Sequence, residues 1–267
     1  MNRALVGLVL ILAAVLAGLV WRDQVQKKRS LVRNTETLFN NMELSEISEL
    51  NLELPSGRVS FSFNGQHWVF KHHPKVRANA VYLDVLLQTL LKTGVGTLVS
   101  ENAADHEQYG LGSSARVIIA RDAAGRELTR LYVGKPAGDF RSTYVRLRDE
   151  TKVRFVTADL IPLTSRATWA DTSVWQVPES GVTRAALKIG TEERVWHEQF
   201  PGELLDLHAS DVSFESCDVQ NSEVTIQIDV EGVAIQLGID MEGRAIYQDV
   251  CYLFSQAAID KLKALKP

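Results

Sequence analysis

Apolar residues recur at every second position over much of this chain, and this alternation limits the folds that it can adopt. It is clearest at Val59, Phe61 and Phe63, which alternate with serines. The Asn64-Gly65 pair that follows is typical of a two-residue hairpin turn. Because side chains along a strand point alternately to the two faces of a sheet, this period gives a sheet one apolar face. We predict an antiparallel meander whose strands cover residues 47–54, 59–63 and 67–70.

One helix then interrupts the strands. An apolar stripe at helical spacing begins at Val81, Asn79 is suited to cap the helix, and Gly94 is suited to a left-handed position at its end. Alternation returns afterwards and predicts strands over 117–119, 128–133, 143–147 and 153–156, followed by a short helix over 158–165. This order predicts an antiparallel α+β domain with a packed helix, and not a βαβ nucleotide-binding fold.

The second half of the chain repeats much of this order. Strand patterns occur at residues 182–189, 193–198, 224–230, 234–239 and 245–248, and residues 250–263 resemble residues 153–166. The long helix has no counterpart there, so the predicted duplication is degenerate. We predict an α+β domain over residues 47–175 as the first repeat and a β-rich second repeat over residues 176–267.

The N-terminal segment is uncharged and apolar over residues 4–21, about the length that spans a hydrocarbon core as a helix. We therefore predict a transmembrane anchor over residues 1–21 that contacts the lipid bilayer, followed by a polar stalk over residues 22–46. The alternative is a cleaved signal peptide, because small residues near Ala17 form a plausible cleavage site.

Charge is distributed unevenly along the chain. Residues 1–33 carry a balance of +5, which leaves −9 of the total of −4 for the rest. An acidic globular part without a basic stripe argues against nucleic acid as a partner. The basic residues after the apolar run favour a cytoplasmic domain by the positive-inside rule, whereas the short tail before the run favours export. We predict an inner-membrane protein with its globular part in the periplasm.

Residues that could carry chemistry are few. The chain has no catalytic signature such as Gly-x-Ser-x-Gly, His-Glu-x-x-His or a Walker loop. His72-His73 and the run Asp105-His106-Glu107 consist of neighbours in sequence, which do not easily converge on one metal ion, so we interpret them as solvated surface groups. Cys217 and Cys251 are compatible with one disulfide bond outside the cytoplasm or with buried thiols inside it. We expect no enzyme activity, cofactor or metal.

Tyr109-Gly110-Leu111 is either an active-site loop or a hinge between the helix and the following strands. Gly110 can supply a turn that other residues do not adopt, while Tyr109 and Leu111 offer aromatic and aliphatic surface to a core. We predict that these three residues are structural.

A resemblance is carried by a set of short motifs: Asp105 with Tyr109-Gly110-Leu111, the strand end Leu131-Tyr132-Val133-Gly134, Tyr144-Val145-Arg146, and residues 155–160. Together with the strand that contains Trp68, they resemble the domain-of-unknown-function 4340 family. The resemblance implies structural roles for Trp68 and Gly134. It also implies an envelope protein with an N-terminal anchor, often encoded beside an ABC transporter and a gliding-motility-type auxiliary protein, and it implies no catalytic residues.

Two functions of different classes follow. The first is a non-enzymatic, membrane-anchored interaction module, an accessory subunit that contacts the membrane-protein subunits of an ABC transporter or another envelope complex. The second is a periplasmic glycan- or lipid-binding domain that uses Trp169, Trp175 and Trp196 as exposed stacking platforms.

Overall fold

The computed structural model describes residues 37–39, 42–215 and 217–266. These residues form two compact units. Unit 1 contains the described residues up to Val59 together with Asp84–Ser165, and unit 2 contains Ser60–Leu83 and the described residues from Arg166 onward. The chain passes between the units within one strand and within one helix.

The strands are β1 (Glu49–Leu54), β2 (Gly57–Phe63), β3 (Trp68–Phe70), β4 (His73–Arg77), β5 (Thr97–Ser100), β6 (Arg116–Arg121), β7 (Glu127–Pro136), β8 (Thr143–Leu147), β9 (Val153–Val156), β10 (Ser173–Gln176), β11 (Val182–Ile189), β12 (Glu192–Trp196), β13 (Asp206–His208), β14 (Asp211–Ser213), β15 (Val224–Val230), β16 (Val233–Ile239), β17 (Arg244–Tyr247) and β18 (Val250–Leu253). The α-helices are α1 (Ala80–Lys92), α2 (Leu160–Thr164), α3 (Gly202–Leu205) and α4 (Gln256–Lys263). Short 3-10 helices cover Leu44–Glu46, Ala103–Asp105, Glu107–Tyr109 and Glu179–Gly181.

Unit 1 is built on an antiparallel sheet with the strand order β2-β1-β6-β7-β8-β9-β5. One face of this sheet forms the core of the unit. Side chains on this face that the strand register pairs with one another are all fully buried. They are Leu50, Leu52, Ile118, Ala120, Leu131, Val133 and Val145. Burial of each large aliphatic side chain contributes about 1.5–3 kcal/mol to folding. The alternation of apolar residues in the sequence thus corresponds to the buried face of this sheet.

Unit 2 contains an antiparallel sheet with the strand order β12-β11-β15-β16-β17-β18-β14. A two-stranded sheet of β10 and β13 and the β3–β4 hairpin belong to the same unit. Helix α4 begins after Ser255, whose side chain accepts a hydrogen bond from the amide of Ala258. The helix buries Ile259 and Leu262, so one apolar stripe attaches it to the core.

The ends of helix α1 follow only part of the prediction. The Asn79 side chain accepts a hydrogen bond from the Tyr82 amide at 3.1 Å, as expected of a capping residue. The prediction of a left-handed Gly94 is wrong, because the left-handed glycine is Gly96, with φ at 78°. A Cβ atom at Gly96 would overlap the Phe155 carbonyl oxygen, so close backbone approach selects glycine there.

The predicted fold class, α+β with an N-terminal transmembrane helix, is wrong. The structure consists mostly of antiparallel sheet, with 43% strand against 19% helix. Strands that sequence alternation did not reveal, including β5, β10, β13 and β14, raise the strand content. They are three or four residues long, too short to show a period.

The predicted N-terminal transmembrane helix is not supported by the structure either. None of the helices within residues 37–39, 42–215 and 217–266 is long and apolar enough to cross a membrane. Helix α1, with 13 residues, is about 20 Å long, well short of a hydrocarbon core of about 30 Å. The predicted anchor over residues 1–21 lies outside the described residues, as does most of the predicted stalk. At the end of that stalk, Leu38 and Phe39 are buried, and the Leu38 amide donates to the Thr93 carbonyl oxygen.

The sheets of the two units share one order of strands. In each, a hairpin (β1 with β2, β11 with β12) is followed across the sheet by a meander (β6 to β9, β15 to β18). A short strand, β5 or β14, pairs with the last strand of the meander at the far edge. The predicted boundary between two repeats at residues 175 and 176 stays a prediction, since both units are discontinuous in sequence.

Candidate functional site

The loop that contains Tyr109-Gly110-Leu111 lies against the end of strand β7 in unit 1. A 3-10 helix over Glu107–Tyr109 ends at Gly110, whose backbone is left-handed with φ at 69° and ψ at 27°. A Cβ atom at Gly110 would lie 3.0 Å from the Lys135 amide nitrogen. The turn and the close approach together favour glycine at this position.

Gly134 is the counterpart of this loop on the strand. A Cβ atom at Gly134 would come closer than 3.0 Å to the Tyr109 carbonyl oxygen and within 3.1 Å of the Leu111 side chain. Leu111 itself is 1% exposed. The absence of a side chain at Gly134 therefore lets the loop pack directly on β7, and this packing places Tyr109 beside the sheet.

The Tyr109 ring packs against the ring of Tyr144. Their centroids are 4.7 Å apart and the planes are inclined at 48°, a separation at which aromatic pairs attract one another. Both tyrosines are half-buried. Tyr144 belongs to β8, so this contact joins the loop to the sheet face opposite the core.

Arg146 lies two residues beyond Tyr144 on the same face of β8. The register pairs it with Tyr132 on β7, and its guanidinium carbon lies 3.6 Å from the centre of the Tyr132 ring. Stacking of this kind orients the guanidinium plane and contributes about 0.5–2 kcal/mol. We call the four half-buried side chains Tyr109, Tyr132, Tyr144 and Arg146 the tyrosine–arginine face.

Within the part of the chain that the structure describes, Arg146 has no ion pair and its buried Nε has no hydrogen-bond partner. Neighbouring arginines differ, because Arg130, Arg148 and Arg121 surround the Glu127 carboxylate at 2.8, 2.9 and 3.6 Å. The hydrogen bond from Arg130, against the opposing effect of burial, lowers the pKa of Glu127 below its usual value. Arg121, Arg130 and Arg148 therefore each have a carboxylate partner, whereas Arg146 has none among the described residues.

The acidic and histidine residues before the loop do not converge on one point. His106 is half-buried, and its Nε2 lies 2.9 Å from the Thr151 carbonyl oxygen in an exposed contact. Glu107 is exposed and accepts a hydrogen bond from the Ser113 amide at 3.3 Å. Asp105 is hydrogen-bonded to the Ser100 hydroxyl. Asp105 and Glu107 contact residues near their own turn, whereas His106 contacts a distant loop.

A groove of about 450 Å³ lies within unit 2, beside strands β4, β14 and β18. His72 and His73 line it, and the His73 ring lies 5.1 Å from the ring of Phe214. Lys75 and Asp249, also in the lining, form an exposed ion pair at 2.8 Å. The predicted structural residue Trp68 is half-buried in the β3–β4 hairpin, with its ring 5.6 Å from that of Phe63.

Cys217 and Cys251 form a disulfide bond in unit 2, with a Cα–Cα distance of 6.0 Å. Cys251 is buried in β18, whereas Cys217 is half-buried in the segment that follows β14. Of the two alternatives that the sequence left open, a bridge and a pair of thiols, the structure contains the bridge.

The three tryptophans expected on the surface are buried. Trp169, Trp175 and Trp196 are only 5–6% exposed. The Trp175 indole nitrogen donates to the Leu204 carbonyl oxygen at 2.8 Å, and that of Trp196 donates to the Lys266 carbonyl oxygen at 3.2 Å. The expectation of exposed stacking platforms is wrong, since these large side chains stabilise the core of unit 2.

No group of three or more His, Cys, Asp or Glu side chains is placed to hold a metal ion within the described ranges. The structural feature that sequence reasoning missed is the pairing of Arg146 with Tyr132. Both residues belong to short motifs of the family resemblance. Only the β7–β8 register, with its bulge between Val133 and Pro136, brings them together.

Comparison with known proteins agrees with that resemblance. Residues 68–207 match a family described as a domain of unknown function (DUF4340). The match covers more than half of the 267 residues and includes all four motifs on which the resemblance rests, together with Trp68, so the resemblance is confirmed. No curated protein and no solved structure matches the chain significantly. The chain belongs to the DUF4340 family.

Proposed function

We propose that this chain is a non-enzymatic interaction module, an accessory subunit of an ABC transporter or another protein complex of the cell envelope. The tyrosine–arginine face of unit 1 carries this proposal. Tyrosine and arginine are among the residue types most enriched at the energetic centres of protein interfaces. Here three tyrosines and one arginine come together on one half-exposed surface.

The rigidity of this surface supports the proposal. Tyr132 and Tyr144 stand on adjacent strands, and Gly134 and Leu111 hold the Tyr109 loop against β7. Side chains that are already ordered lose little conformational entropy when a partner binds. A preorganised face of this kind suits recognition of another protein.

The Cys217–Cys251 bond supports a location outside the cytoplasm. Disulfide bonds persist in oxidising compartments such as the bacterial periplasm and are rare in the cytosol. We propose that the globular part works in the periplasm, where it contacts the exposed segments of membrane-protein subunits.

Site-specific photocrosslinking in the native cells tests this function. Benzoylphenylalanine at position 144 replaces one aromatic side chain on the face, and the same residue at position 233 replaces Val233, which is 65% exposed on unit 2. We expect position 144 to crosslink to one membrane-protein subunit and position 233 not to do so. A folded protein that forms no protein crosslink from position 144, or that purifies as a monomer with a bound glycan or lipid, would contradict the proposal.

A further inference from the structure

We infer that Arg146 is the anchor that binds a carboxylate side chain, Asp or Glu, of the partner protein. This inference rests on the proposed function and names the chemistry that the tyrosine–arginine face recognises. It begins from the fact that Arg146, among the described residues, forms no ion pair, although the side chain is half-buried.

A guanidinium has five N–H donors and no acceptor. Arg130 on β7 and Arg148 directly after β8 use theirs on the Glu127 carboxylate, whereas the Arg146 donors have no acceptor in the described part of the protein. Desolvation of a cation without a partner costs free energy. A carboxylate that reached Arg146 would remove this cost, because planar guanidinium and carboxylate groups can form two parallel hydrogen bonds.

Tyr132 fixes the orientation of this cation. The guanidinium carbon lies 3.6 Å from the ring centre, so one side of the guanidinium group packs against an aromatic ring. Tyr144, two residues before Arg146, adds a second aromatic side chain that pairs with Tyr109. An aromatic surround limits access of water and strengthens an ion pair formed inside it.

Charge complementarity selects a carboxylate from a protein over a polyphosphate or an anionic lipid surface. Binding to these polyanions depends on clusters of several uncompensated Lys and Arg side chains. Here Arg121 and Arg130 already form ion pairs with the Glu127 carboxylate, and Arg148 is bonded to both Glu127 and Asp149, so N–H groups of each are engaged. One unpaired guanidinium between tyrosines fits one carboxylate on an otherwise apolar segment.

The crosslink from position 144 provides the readout, and mass spectrometry identifies the crosslinked peptide. We expect that peptide to contain an Asp or Glu close to the attachment point. Arg146→Gln should reduce the crosslink at least tenfold, and Arg146→Lys, which keeps the charge but loses the planar fork, should give an intermediate yield. Arg148→Gln, in the turn directly after the same strand, is the control and should leave the yield unchanged, because Arg148 already has two carboxylate partners.

A charge exchange completes the test. Arg146→Glu should abolish the crosslink, and replacing the acidic residue of the crosslinked peptide by Arg should restore it. Because the restored pair requires folded protein, recovery separates lost recognition from misfolding. An undiminished crosslink in a folded Arg146→Gln protein, or a failed exchange, refutes the role of Arg146 and leaves the proposed function standing. A complete absence of crosslinks from position 144 in the unaltered protein refutes both.

Discussion

Gly134→Ala is the substitution that most directly tests how the tyrosine–arginine face is positioned. The added methyl group would come closer than 3.0 Å to the Tyr109 carbonyl oxygen, a separation that real Cβ atoms do not show. It would also lie 3.1 Å from the Cγ and Cδ2 atoms of Leu111. A backbone oxygen cannot rotate aside as a flexible side chain can, so the whole loop must move away from β7.

The expected cost follows from two effects. Overpacking of this kind costs about 1–3 kcal/mol. Displacement of the loop also withdraws part of Leu111, whose complete loss from a core would cost about 2–5 kcal/mol. Against this, Ala in place of Gly restricts the unfolded chain and stabilises by about 0.4–1 kcal/mol. We therefore expect Gly134→Ala to lower the free energy of unfolding by about 2–3 kcal/mol.

Urea denaturation followed by circular dichroism measures this change, and Gly138→Ala is the control. Gly138 has no atom within 4 Å of an added Cβ, so its substitution should change the stability by less than about 1 kcal/mol. The Gly134→Ala protein should also lose the crosslink from position 144 in native cells, although the urea titration shows that it is still folded. Equal urea midpoints for the two variants would show that packing of the loop on β7 does not require glycine at position 134.

Four further results are expected. Leu111→Ala should lower the free energy of unfolding by about 2–5 kcal/mol in denaturant titrations, because the side chain is fully buried. His106→Ala should cost about 1 kcal/mol in the same assay, through loss of one hydrogen bond. The pKa of Glu127 is lowered in the folded protein, so the ionised carboxylate contributes fully to stability above its unfolded pKa of about 4.3, and this contribution disappears as the pH falls through the folded pKa. In Glu127→Gln, the free energy of unfolding should therefore decrease less steeply as the pH falls through this acid range. Replacing Cys217 and Cys251 together by Ser should cost about 3–4 kcal/mol for a sequence separation of 34, and the unaltered protein, unfolded without reductant, should show no reactive thiol by maleimide labelling.

Local patterns in the sequence were sufficient for most of the long strands. The predicted strand over residues 182–189 coincides with β11, and those over residues 143–147 and 153–156 coincide with β8 and β9. Alternation depends on which side chains face the core, and this information is contained within each segment. The same is true of Gly110, whose left-handed backbone is a local property of the turn.

Other predictions failed because their outcome depends on distant parts of the chain. The tryptophans at positions 169, 175 and 196 could be exposed or buried as far as the sequence shows, and elements far away in the chain bury them. The indole nitrogens of Trp175 and Trp196 find their acceptors 29 and 70 residues away. An apolar residue reveals its tendency to be buried but not whether a cavity for it exists.

The sequence by itself therefore determined the family, the positions of the long strands and the turn at Gly110, since each depends on neighbouring residues. The tertiary structure alone decided the candidate site. Tyr109 and Tyr144 are 35 positions apart, and Tyr132 meets Arg146 only through the register of β7 and β8. Whether an arginine has a carboxylate partner also depends on residues distant in the chain, because Glu127 lies opposite Arg121 and near Arg148 but not near Arg146. Pairing between strands places these groups, and a one-residue change in register would move each side chain to the opposite face of the sheet.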